Sequence, residues 1–174
     1  MNKKSMQEAV VRLLHGWEGK SDTAVFEGTA FFITPELLLT AEHCVRISED
    51  QVLWIKQHGK HPIRVKCLEK DIESDIALLK VKTEHYQKPK YWLNPNPSDL
   101  TQYLSDKEVQ SWGFYSDSRS LAKPDKRKLI EYLKEKKRYR LDHNVAKGFS
   151  GGPVTHQNKL VGIMHGRQPD GSSH

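Results

Sequence analysis

Three residue types in one chain order carry the chemistry this sequence could do. Ser150 lies in Lys147-Gly148-Phe149-Ser150-Gly151-Gly152-Pro153-Val154, a small-residue turn that runs into an apolar stretch. Glycines before and after the serine let the backbone adopt conformations closed to other residues and let a ligand approach the main chain. The amides of Gly148 and Ser150 can then converge on one point. A hydroxyl beside two converging N–H donors suits acyl transfer, because the donors stabilise the oxyanion formed when the hydroxyl attacks a carbonyl. Taken alone, the octapeptide is equally a Gly-rich hairpin with a surface serine. A serine hydroxyl is a weak nucleophile at neutral pH, so the catalytic reading needs a base and a group that orients the base. Leu37-Leu38-Leu39-Thr40-Ala41-Glu42-His43-Cys44-Val45 carries an apolar run into a histidine, and Asp75-Ile76-Ala77-Leu78-Leu79-Lys80 opens another with an aspartate.

The elements that must position these groups read as short strands. Residues 25–34 and 36–41 predict a strand pair around the turn at Pro35, followed by strands at 51–56, 63–68 and 75–81, each apolar or β-branched and bounded by polar turns. This spacing suits an antiparallel barrel. Residues 9–14 fit either a strand or a short helix. Residues 86–105 are rich in proline and asparagine and read as a linker, with Tyr91 and Trp92 as anchors. Beyond it, 109–114 predicts a strand, and 154–155 with 160–165 a hairpin over Gln157-Asn158. Leu129, Ile130 and Leu133 have helical spacing after Pro124-Asp125 and predict a short helix.

With the order His, Asp, Ser in place, the chain resembles the trypsin-like (chymotrypsin-fold) serine protease family. Thr40-Ala41-Glu42-His43-Cys44 is similar to that family's TAAHC stretch, Asp75 to Leu79 to its D-I-A-L-L strand, and Gly148 to Pro153 to its G-x-S-G-G-P turn. Other triad hydrolases use different chain orders, so the order discriminates. The resemblance spans roughly residues 25–166. It implies an all-β fold of two antiparallel six-stranded β-barrels: residues 1–85 carrying His43 and Asp75, a linker at 86–105, and residues 106–174 carrying Ser150. The family normally supplies a further strand after the position of Gly166, so the second barrel is expected to be incomplete in this chain. A loop cut at a domain boundary, or a tag, would account for Gly171 to His174, and a longer parent protein is then expected.

The resemblance also assigns roles. His43 takes the proton from Ser150 and returns it to the leaving amine, Asp75 holds the imidazole, and the Gly148 and Ser150 amides form the oxyanion hole. Asp71 is the competing aspartate, ranked lower because no apolar strand follows it at once. The primary pocket has Asn144 at its base and His165, Gly166 and Arg167 as its wall. An uncharged base argues against a preference for Lys or Arg, and the bulky wall points to a shallow pocket or to acidic side chains. Phe149 occupies the place where zymogen-type relatives carry an aspartate, so the turn must be ordered by packing of Phe149 or by a partner surface, and N-terminal trimming is not expected to activate the chain. The function expected is that of a serine endopeptidase without cofactor or metal, acting on protein or peptide substrates. A protease-like binding module that has lost turnover is the alternative.

Composition bounds these readings. The chain has 174 residues, enough to bury a sizeable core, with 36% hydrophobic and 29% charged residues. No run approaches the length of a membrane span, and Arg12 interrupts Ala9-Val10-Val11 before a signal-peptide core develops, so a cytoplasmic protein without membrane attachment is expected. No cysteine precedes Cys44, the partner that secreted relatives use, so Cys44 and Cys67 are expected to be free thiols. Residues 123–140 hold nine basic and three acidic side chains, a surplus equal to the formal net charge of +6. No base-reading motif accompanies them, so a solvated face is expected and nucleic acid is not.

Overall fold

The computed structural model describes residues 2–17, 19, 24–46, 52–95, 107–115, 121–133, 138–142 and 145–166. The segment expected to be strand or helix divides into both. Helix α1 spans Lys3–Ala9, with the Asn2 side chain accepting from the Ser5 amide at 2.9 Å as its cap, and strand β1 follows at Val10–His15. With β2 (Val25–Phe32), β3 (Leu37–Thr40), β4 (Leu53–Lys56), β5 (Ile63–Asp71) and β6 (Ile76–Val81), β1 closes an antiparallel barrel in the order β1-β2-β3-β6-β5-β4. Alternation drives the closure. The inward positions of successive strands, among them Leu13, Ile55, Val65, Ala77 and Leu79, meet Phe32 and Leu38 in one core. Each large aliphatic buried there contributes about 1.5–3 kcal/mol.

The second unit comprises β7 (Glu108–Gly113), β8 (Lys123–Leu133), β9 (Arg138–Leu141), β10 (Pro153–His156) and β11 (Lys159–Ile163), in the order β11-β10-β7-β8-β9. Among the described residues this is a curled five-stranded sheet, a half-barrel. Gln157 and Asn158 turn β10 into β11 with φ of 50° and 63°, the double positive φ of a type I′ hairpin. A junction core of Met6, Val10, Phe31, Trp112, Phe114 and Leu160 draws on α1, the barrel and the second sheet. The expected helix around Leu129, Ile130 and Leu133 is instead part of β8, paired with β7 on one side and β9 on the other. A bulge explains the misleading period: Leu129 pairs with Leu141 and Glu131 with Arg140, leaving Ile130 as the extra residue that breaks strand alternation.

Residues 86–95 contain no strand. The Leu93 amide donates to the Phe32 carbonyl at 2.9 Å and the Tyr86 hydroxyl to the Pro35 carbonyl at 2.7 Å, so this segment is fastened to the barrel. Trp92 packs against the barrel core, whereas Tyr91 is exposed and is no anchor.

Candidate active site

His43 and Asp75 are set by two turns of the barrel. After β3 the chain makes a single 3-10 turn, Glu42–Cys44, and Asp75 ends the turn joining β5 to β6 with a left-handed φ of 56°, a conformation aspartate tolerates better than most residues. The backbone ties the turns together, because the Glu42 amide donates to the Asp75 carbonyl at 3.1 Å. Glu42, the departure from an alanine in the family's motif, is itself buried and held by Arg46. Asp71 caps the neighbouring turn by accepting from the Ser74 amide, and is exposed.

The Asp75 side chain is almost wholly buried, at 3% exposure, and a buried carboxylate must be hydrogen-bonded to remain charged. Its Oδ1 accepts from the His43 backbone amide at 2.8 Å and its Oδ2 from His43 Nδ1 at 2.7 Å. A second imidazole reaches the same oxygen, for His165 Nδ1 also contacts Oδ2. Burial raises the Asp75 carboxyl, but the hydrogen bonds from His165 and His43 outweigh it and hold the group well below the carboxylate range. His43 is pushed up to about 10, chiefly by its hydrogen bond to Asp75 and next by Cys44, against the opposing effect of burial. With its Nδ1–H committed to Asp75, His43 leaves Nε2 for a substrate or nucleophile.

Steric exclusion places Ser150. The chain enters through a 3-10 turn, Lys147–Phe149, whose Phe149 is fully buried against Tyr115, with ring centroids 5.5 Å apart. A Cβ on Gly148 would overlap the Phe114 carbonyl, and one on Gly151, already at φ +86°, would overlap the Thr29 carbonyl and the Thr40 hydroxyl. The Gly151 contacts cross between the two sheets. The Thr29 amide donates to the Ser150 carbonyl at 2.8 Å, the Thr29 hydroxyl to the Gly148 carbonyl at 2.7 Å, and the Thr40 hydroxyl to the Thr29 carbonyl at 2.7 Å. Among the described residues, neither the Gly148 nor the Ser150 amide donates to a backbone carbonyl beyond its own 3-10 turn. Phe149 and the inter-sheet threonines thus fasten the turn without an aspartate beside the serine.

His43, Asp75, Ser150, Lys147, His165 and Gly166 line one pocket. A Cβ on Gly166 would lie 3.9 Å from His43 Cε1 and 4.0 Å from Ser150 Oγ, so both groups face a common space that the glycine leaves open. No hydrogen bond joins the Ser150 hydroxyl to His43 among the described residues. Asn144 and Arg167, expected at the base and wall of the primary pocket, lie outside the described residues. His165, expected only as wall, also holds Asp75. Cys44 and Cys67 are free thiols, and the buried Cys44 Sγ lies 3.7 Å from the Ser150 carbonyl. Thr29, Thr40 and Arg138 were missed by sequence reasoning, since their contacts depend on chain segments far apart in sequence.

His43, Asp75 and His165 bring potential metal ligands within 4.8 Å of one another. Arg138 weighs against that use. Its Nη1 lies 2.6 Å from His165 Nε2, and a guanidinium only donates, so Nε2 is the acceptor and the proton resides on Nδ1, which then has no lone pair for a metal.

A closed six-stranded barrel and a half-barrel with histidine, aspartate and serine at their junction define a chymotrypsin-like two-barrel fold. The chain belongs to the trypsin-like peptidase family, whose domain model matches residues 28–163. No curated protein matches the chain. Among solved structures, the MamO protease domain from Magnetospirillum magneticum, in its apo form, is similar with a TM-score of 0.72 and 16% identity, over 97% of this chain and 90% of that one. The inactive form of the Rv3671c protease is similar with a TM-score of 0.69 and 19% identity, over 98% of this chain and 83% of that one. Its active form, from M. tuberculosis, gives 0.68 and 19%, over 98% and 76%. At these identities the likeness is one of fold. No helix among the described residues is long and apolar enough to cross a membrane.

Proposed function

We propose that the chain is a serine endopeptidase with Ser150 as nucleophile, His43 as general base and acid, and Asp75 as the group that orients His43. The observation that supports this most is the buried Asp75 carboxylate accepting both the backbone amide and Nδ1 of His43, in a pocket shared with Ser150. His43 Nε2 takes the hydroxyl proton as Ser150 Oγ adds to the peptide carbonyl, and the Gly148 and Ser150 amides receive the oxyanion. Collapse expels the amine with the proton from His43, and water then cleaves the Ser150 ester by the same steps. Lys147, exposed on the pocket rim, supports a preference for acidic side chains. The missing hydroxyl to imidazole hydrogen bond is compatible with catalysis, since such bonds often tighten only with substrate bound.

A second reading, a binding module without turnover, draws on that same missing bond and on the raised pKa of His43, which leaves the base protonated at neutral pH. Fluorophosphonate labelling across pH separates the two. Covalent modification of Ser150 that accelerates as pH rises supports the enzyme; no modification even at alkaline pH would establish the binding module.

A further inference from the structure

Arg138 is the first residue of β9, on the second sheet, yet it reaches the barrel. Its Nη2 donates to the Glu73 carbonyl at 3.1 Å, in the turn that carries Asp75, and its Nη1 donates to His165 Nε2 at 2.6 Å. The planar guanidinium spans both acceptors with two N–H groups held in a fixed fork, which an ammonium cannot reproduce. Since the guanidinium has no acceptor, His165 must present its Nε2 lone pair to it and direct Nδ1–H at Asp75 Oδ2. His165 in the opposite tautomer would turn a lone pair toward the carboxylate and a proton toward the cation. Both contacts would then be repulsive. The two imidazoles that share Asp75 stand edge to face, with centroids 5.8 Å apart, so displacement of one is felt by the other.

We propose that Arg138 is a positioning residue for the Ser150 site: it selects the Nδ1–H tautomer of His165, and through it fixes the Asp75 carboxylate and the His43 ring. The inference deepens the endopeptidase reading and rests on it for its catalytic consequence, while the tautomer itself is observable without turnover. Arg138 touches neither substrate nor Ser150 in this account. A role confined to bracing β9 against the Glu73 turn would change stability but leave the His165 tautomer and the His43 proton as they are.

The test uses the full chain labelled with 15N-histidine, in the native form and as Arg138→Met and Arg138→Lys. In the native chain, imidazole correlation spectra should show His165 Nε2 unprotonated and Nδ1 protonated, and the His43 Nδ1 proton should give a downfield resonance. Arg138→Met should shift His165 toward the Nε2–H tautomer and broaden or move the His43 resonance. Arg138→Lys, whose single nitrogen can serve one acceptor well, should fall between. With a fluorophosphonate as probe, the maximal labelling rate in Arg138→Met should fall by up to about a hundredfold, as expected when reacting groups are misplaced by about an ångström, with the half-saturating concentration nearly unchanged. A protonated Nε2 in the native chain would overturn the proposal. So would an unchanged tautomer and His43 resonance in folded Arg138→Met; if that variant fails to fold, Arg138→Lys carries the same decision. Failure of the native chain to label at any pH would sink the endopeptidase reading alone, and the spectra would still decide the role of Arg138.

Discussion

The barrel and the half-barrel hold their parts of the site by different means. The barrel is closed and has inward positions on every strand, and its His43 and Asp75 are joined by hydrogen bonds within one unit. The half-barrel buries less: in β8, its longest strand, Leu129 alone is buried. Ser150 depends on glycines that admit neighbouring carbonyls, and on Thr29 of the other unit. The serine's side of the site is therefore cast against its neighbour, whereas the barrel's side stands on its own core and takes only the His165 and Arg138 contacts from the other unit.

Removing Ser150 should have the largest effect on activity and the smallest on either sheet. Ser150→Ala is expected to lower turnover by about 10⁶-fold while leaving the melting temperature and dichroism nearly unchanged. Peptidase activity surviving that change would sink the nucleophile assignment.

Asp75→Asn attacks the barrel's side and should lower turnover by about 10⁴-fold, with His43 held in the wrong tautomer. Its pH signature has a definite sign. The base works only when unprotonated, so the native chain should gain activity as pH rises toward the His43 pKa of about 10; in the variant that value should fall toward 6.5, measured by imidazole NMR. Stability has its own sign. Because the folded-state pKa is raised, the contribution of the His43 to Asp75 pair is complete below pH 6.5 and is lost as pH rises through about 10, and Asp75→Asn should flatten this dependence in thermal melts. An unchanged His43 titration would show that Asp75 does not govern it.

Thr29→Val should have the smallest of these effects and bears most directly on the contrast between the units. It deletes the buried hydroxyl that donates to the Gly148 carbonyl, at a cost of about 1–3 kcal/mol in stability. The labelling rate of Ser150 should drop while the His43 titration stays where it was. Equal disturbance of both would mean that the Thr29 contact governs the His43 side of the site as well as the serine turn.

How much of this was legible in the sequence follows the same division. Five of the six barrel strands and the His43 and Asp75 motifs could be read because each is a short contiguous apolar run bounded by polar turns, whereas residues 9–14 leave strand and helix open until β1 is paired with β2 and β4. The Ser150 turn could be read from its glycines, though not the atoms those glycines admit: the carbonyls of Phe114 and Thr29 arrive from distant segments. In β8 the bulge at Ile130 and the polar exposed face erased the two-residue period and left a false helical one. His165 read as pocket wall because its position after β11 is visible in sequence, whereas its contact with Asp75, ninety residues away, is a property of the assembled sheets.

The Thr29 amide hydrogen has one further use. Its acceptor is the carbonyl of the proposed nucleophile itself, across the seam between the sheets. Its exchange with deuterium therefore clocks the parting of the two units at Ser150, whereas an amide internal to either sheet would report only the breathing of that sheet. A single backbone proton thus supplies a stopwatch for the opening of the seam, readable in the resting chain with no substrate, label or substitution.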